Sequence, residues 1–228
     1  MIVTSNRFRP PALLAKMAAT ADIIAGGRLV FGIGAGGSSA APPAAGNPAY
    51  REYDAYGIGL VTPGEAVTAL DESCTLVKRL RAEDQPFDFD GRCYQLKGAI
   101  CEPKPVQRPR PPIMIGAGGE RSALRVVARH ADIWASPTFT AEEFRRKNAV
   151  LDDHCAAIGR DPAQITRSAQ VFFTASEPSA AARFPGPAGA RELIAELIGA
   201  GARHLVLAPT GAPSVRWTAD EIIRPFLG

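Results

Sequence analysis

A chain of 228 residues, 46% hydrophobic and 21% charged, has the composition of a globular protein and the length to bury a full core. Its 26 Lys and Arg stand against 23 Asp and Glu, and a formal charge of +3 is too weak a balance to point to nucleic acid. There is no cationic leader with an apolar core and no apolar run of about 20 residues, so no membrane association is expected and a cytoplasmic location is.

The chain opens with the β-prone "MIVTSN" and a helix signature, "PPALLAKMAATADIIAGG", with Pro at the start, apolar residues at helical spacing and Gly at the stop. "RLVFGIGAGG" then reads as a buried strand ending in glycines, followed by an Ala/Pro/Gly-rich loop from Ser38 to Asn47 and the helix "PGEAVTALDESCTLVKRL". "FDFDGRCYQLKGAICEPKPVQRPRPPI" carries an Asp-Gly turn between β-prone runs and a proline-rich stretch, which suits a small hairpin outside the main core.

Four more strand and helix pairs follow. They are "IMIG" with "ERSALRVVARHA", "DIWASPT" with "AEEFRRKNAVLDDHCAAIG", "AQVFFTAS" with "ARELIAELIGAGA", and "HLVLAPT" with "ADEIIRPFLG". Six strand–helix units with apolar strands predict an α/β protein with a parallel sheet covered by helices, either doubly wound or a barrel. Glycine-rich and polar residues recur just after the strands, the end at which barrel active sites assemble.

The four cysteines, Cys74, Cys93, Cys101 and Cys155, form no C-x-x-C pair and have three scattered histidines for company, so no metal site is expected. Cys93 and Cys101 could meet across the hairpin, but free buried thiols are the expectation. His130, His154 and His204 read as structural, and the acids of "AEEF" and "LDDH" as solvated helix faces. The "GAGG" at Gly116 to Gly119 admits two readings: a cradle that lets backbone N–H groups approach an anion, or a sharp corner between strand and helix.

Taken together, "TSNRFRPPALLAKMAATADIIAGGRLVFGIGAGG", "EYDAYGI" and the run from "FDFDGRCYQLKG" to "RHADIWA" resemble the luciferase-like monooxygenases, and among them the branch of oxidoreductases that depend on coenzyme F420. The resemblance implies a (β/α)8 TIM-barrel fold, of which about six of eight units are present here. It places "MIVTSN" at the third strand of the family, so the first two units would precede Met1. Residues 1–228 are then expected to be a single luciferase-like barrel domain, N-terminally truncated.

The function implied is hydride transfer between coenzyme F420 and a small organic substrate, the alternatives being an FMN-dependent monooxygenase or a catalytically inactive remnant. By the same resemblance the cofactor-binding residues are Ile2, Val3 and Thr4 at the first strand; Gly34, Ala35 and Gly36 beside the ring; and Gly116, Ala117, Gly118 and Gly119 with Ala135, Ser136 and Pro137 around the phosphate. Ser136 and Thr138 would each offer a hydroxyl. A homodimer is expected as well.

Family members usually carry an Asp-His pair after the second strand, and the chain as given has none in that place, so no catalytic side chain is assigned. Where related deazaflavin enzymes often have an acidic or aromatic residue, this chain has Gly37, Ser38 and Ser39. Trp134 is expected in the core or at the border of the cofactor, and Tyr50 or Tyr53 as a substrate contact. Ser38 to Asn47 and the segment from Ala180 to Gly189 would choose the substrate.

Overall fold

The computed structural model describes residues 2–37, 48–175, 185–210 and 215–227. Eight strands are present among them: β1 (Thr4–Ser5), β2 (Phe31–Gly34), β3 (Phe87–Asp90), β4 (Gln95–Ala99), β5 (Ile113–Gly116), β6 (Ile133–Ala135), β7 (Thr166–Thr174) and β8 (His204–Thr210). The helices are α1 (Pro11–Ile24), α2 (Pro48–Ala55), α3 (Pro63–Ala82), α4 (Ala123–His130), α5 (Ala141–Ala156), α6 (Pro187–Gly199) and α7 (Val215–Thr218). Six strands form one parallel sheet in the order β1-β2-β5-β6-β7-β8, and β3 pairs antiparallel with β4 outside it.

This is the six-unit array expected from the sequence, with each strand beside its predecessor in the barrel. The sheet curves without closing on itself among the described residues, so β1 and β8 are its two edges. Alternation along the strands sorts the side chains by face. Phe31 and Ile33, Ile113 and Ile115, Trp134, and Ala169, Val171 and Phe173 turn toward the helices, where they form one core with Leu14, Leu70, Val77, Leu124, Phe144 and Leu151. The opposite face carries Gly32, Gly34 and Gly116.

Local chemistry starts and stops the helices where the sequence says it should. Pro11 opens α1, and two left-handed glycines, Gly26 and Gly27, end its turn, with the Gly27 N–H donating to the Asp22 carbonyl at 2.9 Å. A reciprocal capping box opens α3: the Glu65 N–H donates to Thr62 Oγ1 at 3.3 Å, and Glu65 Oε2 accepts from the Thr62 N–H at 2.9 Å. The hairpin is fastened to α3 by Glu72, whose carboxylate accepts the N–H groups of Arg92, Cys93 and Tyr94 at 2.7 to 3.0 Å.

Three expectations need correction. The loop of the second unit ends in a helix of its own, α2, which eight residues following directly on an Ala/Pro/Gly-rich stretch were too few to announce. The helix after β5 begins at Ala123 rather than Glu120, because Ser122 has non-helical backbone angles and the Glu120 carbonyl is engaged by His154. All four cysteines are free, as expected, but Cys93 is only half-buried, at the hairpin turn. Burial pushes the Cys74 thiol up to about 12, which makes it a small core hydrophobe rather than a nucleophile.

Candidate functional site

The carboxyl ends of β1, β2 and β5 converge on a cleft of about 580 Å³, within the size range of small-molecule sites. Its lining includes Val3, Thr4, Gly34, Ala35, Gly36, Gly116, Ala117 and Gly118, eight of the thirteen residues expected at the cofactor. Ile2, Gly119, Ala135, Ser136 and Pro137 are not part of that lining.

The first three described residues are packed, not frayed. A Cβ on Gly32 would stand 2.0 Å from the Ile2 carbonyl oxygen, and one on Gly116 would stand 2.8 Å from a Val3 methyl. Glycine at these two positions is what lets Ile2 and Val3 cross the concave face beneath the cleft. Asn6, at the end of β1, is 1% exposed; its N–H donates to the Gly34 carbonyl at 2.9 Å, yet neither side-chain amide atom finds a partner. A buried amide left unmet costs stability.

Gly34 to Gly37 are held by side chains from the β1–α1 connection and from α2. Gly36 is left-handed (φ 76°), and a Cβ there would fall 2.0 Å from the Tyr53 hydroxyl and 2.2 Å from Ser5 Oγ. The Tyr53 hydroxyl hydrogen-bonds Ser5 Oγ at 2.5 Å and accepts the Gly37 N–H at 3.1 Å, while Arg7 donates to the carbonyls of Gly37 and Gly59. Tyr53 is thus a buried post of the loop with its ring at the cleft. The Tyr50 side chain, the loop from Ser38 to Asn47, and residues 180–184 lie outside the described residues.

Gly116 to Gly119 are gripped from the other flank. Trp134 Nε1 donates to the Ala117 carbonyl at 2.8 Å, Lys147 Nζ to the Gly118 carbonyl at 2.7 Å, and the Leu124 N–H to the Gly119 carbonyl at 3.0 Å. His154 Nε2 lies 2.7 Å from the Glu120 carbonyl, which requires the proton on that nitrogen. Trp134 is fully buried and stacks on Phe144 of α5 at 5.6 Å, so it sits on the helix side of the sheet and not in the barrel interior.

Ser136 and Thr138 are buried with their hydroxyls 2.9 Å apart, bonded to each other. Pro137 touches the same loop, its ring 2.7 Å from where a Gly118 Cβ would lie. The remaining histidines bond to neighbouring side chains: His130 Nε2 is 2.9 Å from Asp71 Oδ1, and His204 Nδ1, on the edge strand β8, is 2.7 Å from Ser168 Oγ of β7. Among the described residues no cluster of His, Cys, Asp or Glu could hold a metal, and no helix is long and apolar enough to cross a membrane.

Lys147 and His154 were the residues that sequence reasoning missed as partners of the loop. Their separation of seven places them two turns apart on one face of α5, a signal that says they act together but not on what.

Comparison with known proteins gives this geometry a family. The chain is 30% identical over 151 residues to Uncharacterized protein Mb0978c of Mycobacterium bovis, covering 66% of this chain and 48% of that one. It therefore spans about half the length of the curated relatives it matches. Among solved structures it superposes on the coenzyme F420 dependent tetrahydromethanopterin reductase from Methanopyrus kandleri with a TM-score of 0.76 and 16% identity, covering 99% of this chain and 82% of that one.

A riboflavin lyase with modified FMN and substrate riboflavin gives a TM-score of 0.73 at 12% identity, over 99% of this chain and 69% of that one. At such identities the likeness is one of fold, the TIM-barrel type. The family model of the luciferase-like monooxygenases matches residues 2–205, and on that match the chain belongs to the luciferase-like monooxygenase family.

Proposed function

We propose that the chain is an oxidoreductase that moves a hydride between coenzyme F420 and a small organic substrate, with the cofactor phosphate at Gly116 to Gly119 and its ring over Val3, Thr4 and Gly34 to Gly36. One observation carries the reading: two glycine loops at neighbouring strand ends line a single cleft whose volume falls in the range of small-molecule sites.

When bound, the deazaflavin supplies the two-electron chemistry, and the protein supplies position and shelter. Gly34 and Gly116 make room for the Val3 side chain, which with Thr4 lines the cleft at the strand ends where a flat ring would lie. Phe8 and Tyr53, with ring centroids 5.0 Å apart, form an aromatic flank that excludes water from one side. Gly118 presents its backbone to the cleft where the phosphate would lie, and the first turn of α4 has no side-chain cap competing for its N–H groups.

Separate titrations of the purified protein with coenzyme F420 and with FMN test this reading. Tight binding of F420 is expected; tight binding of FMN alone would replace hydride transfer by flavin monooxygenase chemistry, and binding of neither would leave an inactive remnant as the better description.

A further inference from the structure

We infer that Trp134, Lys147 and His154 are positioning residues that hold Gly116–Gly119 and Glu120 as a preformed anion cradle, an inference that rests on the proposed seat of the cofactor phosphate. The carbonyls of Ala117, Gly118, Gly119 and Glu120 are all engaged, three of them by side chains from β6 and α5. In a trans peptide the carbonyl and the next N–H point to opposite sides. Drawing the Ala117, Gly118 and Glu120 carbonyls toward β6 and α5 therefore turns the N–H groups of Gly118, Gly119 and Arg121 away from that flank. β2 lies on the opposite side of β5 from β6, and the cleft lies there with it.

A loop so fixed has its donors aimed before any anion arrives, and this preorganisation removes the reorganisation that binding would otherwise require. The three side chains are well placed for holding. Trp134 is fully buried, Lys147 is 9% exposed, and the Lys147 ammonium is also paired with Glu143 at 3.2 Å, one turn earlier on α5. The charge of Lys147 is thereby largely balanced, so its service to the loop is the hydrogen bond to Gly118. Arg146 of the same helix pairs with Glu120 and adds a further tie.

The test compares ligands with and without a phosphate. FMN and riboflavin differ in that group alone, and so do the 5′-phosphate of the ribityl deazaflavin core of coenzyme F420 and the same core without phosphate; the affinity ratio within each pair isolates the phosphate contribution. Lys147→Met is expected to reduce that ratio about tenfold, the effect of losing roughly one charge-assisted hydrogen bond. Lys147→Arg should restore most of it.

Trp134→Phe keeps the stacked ring and removes a neutral donor. A reduction of about threefold there would be free of any change in charge, and it serves also if Lys147→Met does not fold, as judged by thermal unfolding. If the unsubstituted protein shows no preference for the phosphate-bearing member of either pair, the proposed phosphate seat fails and the inference falls with it. If the preference exists and both Lys147→Met and Trp134→Phe retain it in full while lowering only the melting temperature, the seat stands and the positioning role is overturned.

Discussion

The tetrapeptide Gly-Ala-Gly-Gly occurs twice in this chain, at 34–37 and at 116–119, each time where a parallel strand ends. The first copy contains a left-handed glycine, and its last residue has both groups consumed, the N–H by the Tyr53 hydroxyl and the carbonyl by Arg7. In the second no glycine is left-handed, and the groups consumed are carbonyls. Identical letters thus make a wall in one place and a donor surface in the other, and the difference comes from side chains far away in sequence: Ser5 and Tyr53 in one case, Trp134, Lys147 and His154 in the other.

The largest effect expected from breaking this comparison is at Gly36. Gly36→Ala places a methyl onto the Tyr53 hydroxyl and Ser5 Oγ in a left-handed conformation, and should destabilise the fold by about 3 kcal/mol in urea unfolding. The corresponding Gly118→Ala meets the Pro137 ring at 2.7 Å without the conformational strain, and should cost about half as much.

Next is Asp132, at the opposite end of the strands from the second loop. Its carboxylate pairs with Arg110 and accepts the Ile113 N–H at 2.7 Å, tying the starts of β5 and β6 together. Burial alone would raise this carboxyl, but the Arg110 guanidinium and the Ile113 N–H outweigh it and hold it below the ordinary value of 3.8. A depressed carboxyl stabilises the fold fully above its unfolded value, and that contribution disappears as pH falls through the lower folded value. Asp132→Asn should therefore cost about 2 kcal/mol at pH 7, with the gap between variant and parent closing below about pH 4. Stability should fall while the phosphate preference of the loop stays unchanged.

Tyr53→Phe removes two hydrogen bonds at once from the first loop, and should cost about 1 kcal/mol in the same unfolding measurement. The smallest effect is expected at Gly119, where an added Cβ meets only the Ala123 Cβ at 3.5 Å. Gly119→Ala should change stability by less than about 0.5 kcal/mol, since the conformational entropy it removes from the unfolded chain offsets small losses in the fold. A large loss of stability there would mean that the two loops are more alike than their contacts imply.

The sequence makes the array of six strands and their helices legible because each strand is a short apolar run bounded by glycine or proline, and each helix repeats its apolar residues every three to four positions. The hairpin is equally plain from Asp90-Gly91 between β-prone runs. What surrounds the loops is not legible in the same way. Trp134, Lys147 and His154 bond to carbonyl oxygens, and a carbonyl has no letter: nothing in "GAGG" records which side its oxygens face.

The same holds for Gly32 and Gly116. Only the structure reveals that Ile2 and Val3 lie against them, and the sequence alone leaves Ile2 to Thr4 as a short terminal strand. Eight of the thirteen residues expected at the cofactor do meet at one cleft, and those came from the order of several motifs together rather than from any single one.

The grip of α5 on the second loop has a consequence for how such sites change over evolutionary time. Because Lys147 and His154 hold main-chain oxygens, the loop residues they hold can be exchanged without touching the grip, so far as the space around them allows. The inherited constraint therefore falls on the helix: a descendant could drift away from Gly-Ala-Gly-Gly and keep the shape of the loop, whereas one that lost both donors from α5 would keep the glycines and lose the shape.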